Sequence, residues 1–176
     1  TLNTADDMTS WKQKFASLRL QPCRPPLWAR GGHAQTTFGH LLPAPEDTAE
    51  PQQHKIPLPD GDHLLADFYP GTTDNVLYLF HGLGGNSRRG YMKRMTLRAL
   101  RRGFHVLATN HRGCGLGRGL AAQPYHSGRA EDLSAVIGYG RNLFPQFRHL
   151  AVGYSLSGNA LLLLQAGYRG SVQPDL

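Results

Sequence analysis

A chain of 176 residues with 40% apolar and 18% charged content has enough core-forming side chains for one domain and too little charge for a disordered one. No run approaches the roughly 18 apolar residues that span a bilayer, and Thr1–Phe15 lacks the apolar stretch of a secretory signal. The two cysteines, Cys23 and Cys114, stand too far apart for a metal spacing and read as free thiols of a reducing compartment, which predicts a cytoplasmic protein.

Residues 1–50 read as an irregular segment packing on the core, with one helix expected over Thr9–Leu18 behind Thr9 or Ser10 as N-cap. It also holds Gly32-His33-Ala34-Gln35-Thr36. Residues 51–176 carry the regular pattern. Lys55–Leu58 and Leu64–Tyr69 predict two strands joined by the hairpin turn Pro59-Asp60-Gly61-Asp62. Val76–Phe80 is a nearly continuous apolar run, the mark of a strand buried on both faces of a parallel sheet. A Gly-rich loop follows, then a helix over Arg89–Arg102 closed by Gly103.

The alternation continues with a strand at Phe104–Thr109, a Gly-rich loop at Asn110–Gly119 and a helix at Ala130–Leu143. A strand at His149–Tyr154 and a helix at Leu156–Tyr168 complete it. Strand, loop and helix repeated in this way predict right-handed crossovers. With the hairpin ahead of them, the architecture expected is α/β, a mixed and mostly parallel sheet flanked by helices.

Much of the formal charge of +7 sits in Arg88, Arg89, Lys93, Arg94, Arg98, Arg101 and Arg102, around a helix with no acid of its own. A solvated outer face is the plain reading, and attraction to an anionic lipid surface is the alternative. Nucleic acid is not expected, because no aromatic interleaving or recognition motif accompanies the charge.

The sharpest chemical signal is Ala151-Val152-Gly153-Tyr154-Ser155-Leu156-Ser157-Gly158-Asn159. A buried strand runs into Ser155 and an apolar helix starts directly after it. That is the setting of a nucleophile elbow, a sharp turn that lifts the serine Oγ above the sheet. Gly153 fits the G-x-S-x-G pattern, while Ser157 stands where the last glycine belongs. The Leu156 N–H, at the helix start, is placed to donate to an oxyanion. The plainer reading of the same residues is a tight strand–helix turn with no catalytic role.

The loop His81-Gly82-Leu83-Gly84-Gly85-Asn86 carries a second signal. Its glycines let backbone approach a substrate oxygen. A phosphate cradle is the rival, but the lysine and hydroxyl of a P-loop and the spacing of a dinucleotide fingerprint are both missing. Neither a metal nor a cofactor is expected.

With Asn110-His111-Arg112-Gly113-Cys114-Gly115 after the next strand, these landmarks follow the order of the α/β-hydrolase fold. The chain resembles the YheT-like branch of that superfamily through Gly32–Thr36, Leu58–Asp62, His81–Gly85 and His111–Cys114. Tyr125-His126-Ser127-Gly128, Glu131-Asp132 and Gly153–Asn159 extend the resemblance, which covers about residues 25–170. It implies a serine hydrolase of carboxylic esters, acting on small-molecule short-chain esters or acylglycerols. It also implies that the Leu83 N–H is the second oxyanion donor. His81, Gly82 and Tyr154 are candidates for the substrate pocket.

The resemblance implies a triad of Ser, Asp and His in that order, yet all 9 histidines precede Ser155, and Asp175 is the sole acid after it. The chain therefore reads as truncated after the nucleophile helix, as a fragment, a truncated gene product or one piece of a split enzyme. The missing Asp and His are expected from outside this segment, with a second chain as one source. The alternative is a catalytically silent fragment acting as a binding or interaction domain. Of the upstream histidines, His81 is expected to brace its own loop, and His33 and His126 to be structural.

Overall fold

The structure, a computed structural model, describes residues 26–27, 31–41, 45, 50–168 and 172–175. The helix expected over Thr9–Leu18 lies outside the described residues. The chain forms two compact units, Thr1–Leu42 and Pro43–Leu176. In the first, helix α1 (Gly32–Leu41) occupies a stretch that reads as irregular in the sequence. Gly31 at φ +98° leads into it, and the Gln35 N–H donates to the Gly31 carbonyl at 3.1 Å. Two glycines and the β-branched pair Thr36-Thr37 lower its intrinsic helix propensity, which is why no local signal announces it.

The second unit is a sheet of five strands: β1 (Gln52–Pro57), β2 (His63–Tyr69), β3 (Asn75–Phe80), β4 (His105–Asn110) and β5 (Arg148–Gly153). Their spatial order is β1-β2-β4-β3-β5, with β1 and β2 antiparallel to their neighbours and β4, β3 and β5 mutually parallel. The hairpin, the parallel crossovers and the mixed sheet are those expected.

Alternation along β3 divides the core. Val76, Tyr78 and Phe80 join Leu107 beneath α3 (Ala130–Leu143) and α4 (Leu156–Gln165), packing on Leu133, Val136, Ile137, Ala160 and Leu164. Leu77 and Leu79 point the other way, with Val106 and Ala108, onto Met92 and Ala99 of α2 (Gly90–Leu100). Both faces are covered, so β3 reads as an unbroken apolar run and not as an alternating one.

Two helix ends follow glycine. Gly103, at φ +80°, closes α2 as expected, its N–H donating to the Leu100 carbonyl and that of Phe104 to the Ala99 carbonyl. The helix expected to run to Tyr168 stops at Gln165, because Gly167 at φ +75° lets the Tyr168 and Gly167 N–H groups turn back onto Leu163 and Leu164.

Among the described residues β5 pairs with β3 alone. Asp175 clasps the start of that edge: its N–H donates to the His149 carbonyl and its carboxylate accepts the His149 N–H, both at 2.6 Å. The same carboxylate pairs with Arg141 at 2.7 Å. The strand rise puts His149 and Ser155 about 20 Å apart, so the one acid after Ser155 is committed to the opposite end of β5. No helix among the described residues is long and apolar enough to cross a membrane.

Candidate active site

Ser155 stands between β5 and α4 at φ 52°, ψ −112°, and among the described residues it is the sole non-glycine with positive φ. A serine there is strained by roughly 1–3 kcal/mol, a cost borne only where the surroundings enforce it. Here they do. The Ser157 N–H donates to the Tyr154 carbonyl at 3.0 Å, and the Gly158 and Asn159 N–H groups donate to the Ser155 carbonyl at 2.9 and 3.3 Å. The Tyr154 N–H donates to the Phe80 carbonyl at 3.0 Å, fastening the turn to the end of β3.

The loop after β3 meets this turn. A methyl group on Gly82 would stand 3.3 Å from both the Ser155 Cβ and the Tyr154 carbonyl oxygen. Ser155 is exposed, Leu83 is 78% exposed, and Leu156 and Tyr154 are half-buried beside them. Tyr154 packs edge-to-face on Tyr91, centroids 4.7 Å apart. Of the expected residues, then, Gly82 and Tyr154 lie against the serine turn.

His81 is fully buried and occupied on both ring nitrogens. Nδ1 donates to the Gly82 carbonyl at 2.7 Å, and Nε2 accepts the His111 N–H at 3.1 Å. It braces its own loop as expected. His111 Nε2 lies 2.6 Å from the Ser157 Oγ, whose hydroxyl donates to the His81 carbonyl. Ser157 is fully buried, so a residue read from sequence only as small enough for its place joins α4 to the β3 loop.

Burial lowers His111 from its ordinary value of 6.5 to about 3, with the neighbouring His81 adding to the effect. Burial lowers His81, His105 and His149 too. Because the unfolded chain then binds more protons than the folded one, the stabilisation from neutral His111 is complete above pH 6.5 and is lost as pH falls toward 3. For His111 alone the loss between pH 7 and pH 5 is about 2 kcal/mol. Urea unfolding at the two pH values should show at least that difference, and equal stabilities would contradict the buried neutral imidazole.

The ion pairs were not foreseen. Arg112 has a side chain only 1% exposed and grips Asp132 with two bonds of 2.7 Å. Its Nη1 reaches Asp60 at 2.7 Å and Asp62 at 2.6 Å. Asp132 most, and then Asp60, raise the guanidinium well above its usual range. Arg112 in turn lowers Asp60, while Asp62 is lowered chiefly by the N–H groups of Ala122 and Gln123. Arg88 pairs at 3.2 Å with buried Asp67, which also accepts the Ser87 hydroxyl at 2.6 Å. The basic stretch thus carries at least one countercharge, drawn from β2.

A mixed sheet with parallel strands β4, β3 and β5, a strained serine at a strand–helix turn and a Gly-rich loop against it are the features of one class. The family model described as alpha/beta hydrolase fold matches residues 75–173, and the chain belongs to that family. Within it the chain is similar to YheT of Escherichia coli (strain K12), 33% identical over 120 residues that are 66% of this chain and 35% of YheT. It is also similar to phospholipase ABHD3 of Homo sapiens, 28% identical over 159 residues, 85% of this chain and 38% of the relative. Among solved structures, the Pyrococcus furiosus esterase Pf2001 superposes with a TM-score of 0.59 at 19% identity, over 69% of this chain and 49% of that one. The chain therefore spans little more than a third of the length of these two curated relatives.

Proposed function

We propose that the protein is a serine hydrolase of carboxylic esters, of the short-chain ester or acylglycerol type, with Ser155 as its nucleophile. The observation that carries the reading is the backbone of Ser155 at φ 52°, a strain that lifts the hydroxyl clear of the sheet at the mouth of the Gly-rich loop. The Ser155 Oγ attacks the acyl carbon and the carbonyl oxygen becomes an oxyanion. The N–H groups of Leu83 and Leu156 receive it. Leu156 is the first residue of α4, so its N–H has no partner within the helix. Relatives that carry the names esterase and phospholipase support the reaction class.

The proton leaving Ser155 needs a base. His81 and His111 are bonded elsewhere, and Asp175 is held at the far end of β5. None of these three is placed to serve, and we assign the acid and base of the triad to the rest of the protein or to a second chain. Intact-mass analysis of the protein in its native form after fluorophosphonate treatment should show a single adduct that is lost in Ser155→Ala. A folded protein that gains no adduct would favour the other reading, a binding domain without turnover.

A further inference from the structure

Four backbone N–H groups, those of Gly82, Leu83, Gly84 and Gly85, line the loop that faces Ser155. Three are occupied. The Gly82 N–H donates to the Tyr91 hydroxyl at 3.1 Å, the Gly84 N–H to the Tyr125 hydroxyl at 2.8 Å, and the Gly85 N–H to the Gly82 carbonyl at 3.1 Å. Among the described residues the Leu83 N–H has no such partner. Gly84 at φ +66° reverses the chain just after it.

The two tyrosines come from separate elements, and each is held by its own surroundings. Tyr91 lies in the first turn of α2 and packs edge-to-face on Tyr154. Tyr125 belongs to the loop before α3 and stacks on His111, ring planes 5° and centroids 5.1 Å apart. Its ring also meets His81 edge-on at 6.2 Å. Burial holds the Tyr125 phenol and the Cys114 thiol above their usual values, so the hydroxyl keeps its proton and its oxygen accepts the Gly84 N–H. A flexible Gly-rich loop is thus pinned on both sides of Leu83 by hydroxyls on well-packed rings.

From this geometry we infer that Tyr91 and Tyr125 are positioning residues. They hold the N–H groups on either side of Leu83, and so fix the free Leu83 donor toward the oxyanion. The inference rests on the serine-hydrolase reading. This role requires no contact of either tyrosine with substrate. Each acts through the backbone it grips, and an aimed donor removes the reorganisation that a mobile glycine loop would need during the reaction.

The test uses the protein in its native form, with p-nitrophenyl acetate as the probe. Tyr125→Phe and Tyr91→Phe keep their rings and stacking and lose only the hydroxyl. In each, kcat is expected to fall by about ten- to a hundredfold while KM stays near the wild-type value, because the donor acts on the oxyanion more than on the bound ester. Hydrogen exchange followed by NMR should show the Gly84 amide losing protection in Tyr125→Phe, and the Gly82 amide in Tyr91→Phe. Unchanged kcat in both variants would overturn the positioning role, provided Ser155→Ala is inactive. Probe hydrolysis by Ser155→Ala at the wild-type rate would instead remove the serine-hydrolase reading, and the positioning role with it.

Discussion

Arg112→Ala is expected to lower the free energy of unfolding by about 3–5 kcal/mol, the range for deleting one partner of a buried ion pair. The Asp132 side chain is 1% exposed and has both carboxylate oxygens bonded to this one guanidinium. Without it, a charge far from water stays unpaired at the first turn of α3. Asp60 and Asp62 would then face Asp132 with only the longer Arg129–Asp60 pair, at 3.7 Å, beside them. The planar fork is what allows three carboxylates to be served at once, so Arg112→Lys should recover only a minor part of the loss. Urea unfolding at pH 7 measures both variants. A loss under about 1 kcal/mol for Arg112→Ala would mean that the cluster behaves as a surface network and is not a buried clasp.

That cluster marks a limit on what the sequence reveals. Asp60, Asp62, Arg112 and Asp132 all fall in segments that carry the family resemblance, where they appear as three unrelated short motifs. In the fold they are one ionic knot, with Arg112 reaching across 52, 50 and 20 residues of chain. Long-range pairing leaves no periodicity in the sequence. The strands, by contrast, were legible because the β3 run and the hairpin Asp60-Gly61 impose local rules that tertiary context did not override. Helix α1 was missed for the same reason in reverse: its residues are poor local helix formers.

The site divides along the same line. The serine turn could be read because its demands are steric and confined to a few adjacent residues, with Gly153 two before Ser155. The hydroxyl of Ser157 could not, since a departure from glycine looks like tolerated smallness until His81 and His111 are brought to it. The tyrosines at the Gly-rich loop were equally hidden. Their hydroxyls come from 9 and 41 residues downstream of the glycines whose N–H groups they accept.

Gly153→Ala should slow ester turnover and fluorophosphonate labelling by at least about a hundredfold, the order expected when a reacting atom is displaced by about 1 Å. A methyl group at this position would stand 2.5 Å from the Ser157 carbonyl oxygen, 2.6 Å from its carbon and 2.8 Å from the Gly158 nitrogen. All three are backbone atoms, so no side chain can swing aside and β5 must move away from α4. The enforced φ of Ser155 depends on that close approach, and a widened turn lets it relax to a negative value that takes the hydroxyl from its place. Overpacking adds roughly 1–3 kcal/mol of destabilisation, so rates need to be compared where circular dichroism shows the variant folded. Gly158→Ala is the matched control. Its methyl group would meet only the Gly153 carbonyl, at 3.4 Å, an ordinary contact, and it lies inside α4 where alanine favours the helix. Wild-type rates in Gly158→Ala beside a collapse in Gly153→Ala would tie reactivity to the closeness of strand and helix. Wild-type rates in both would mean that something other than this turn places Ser155.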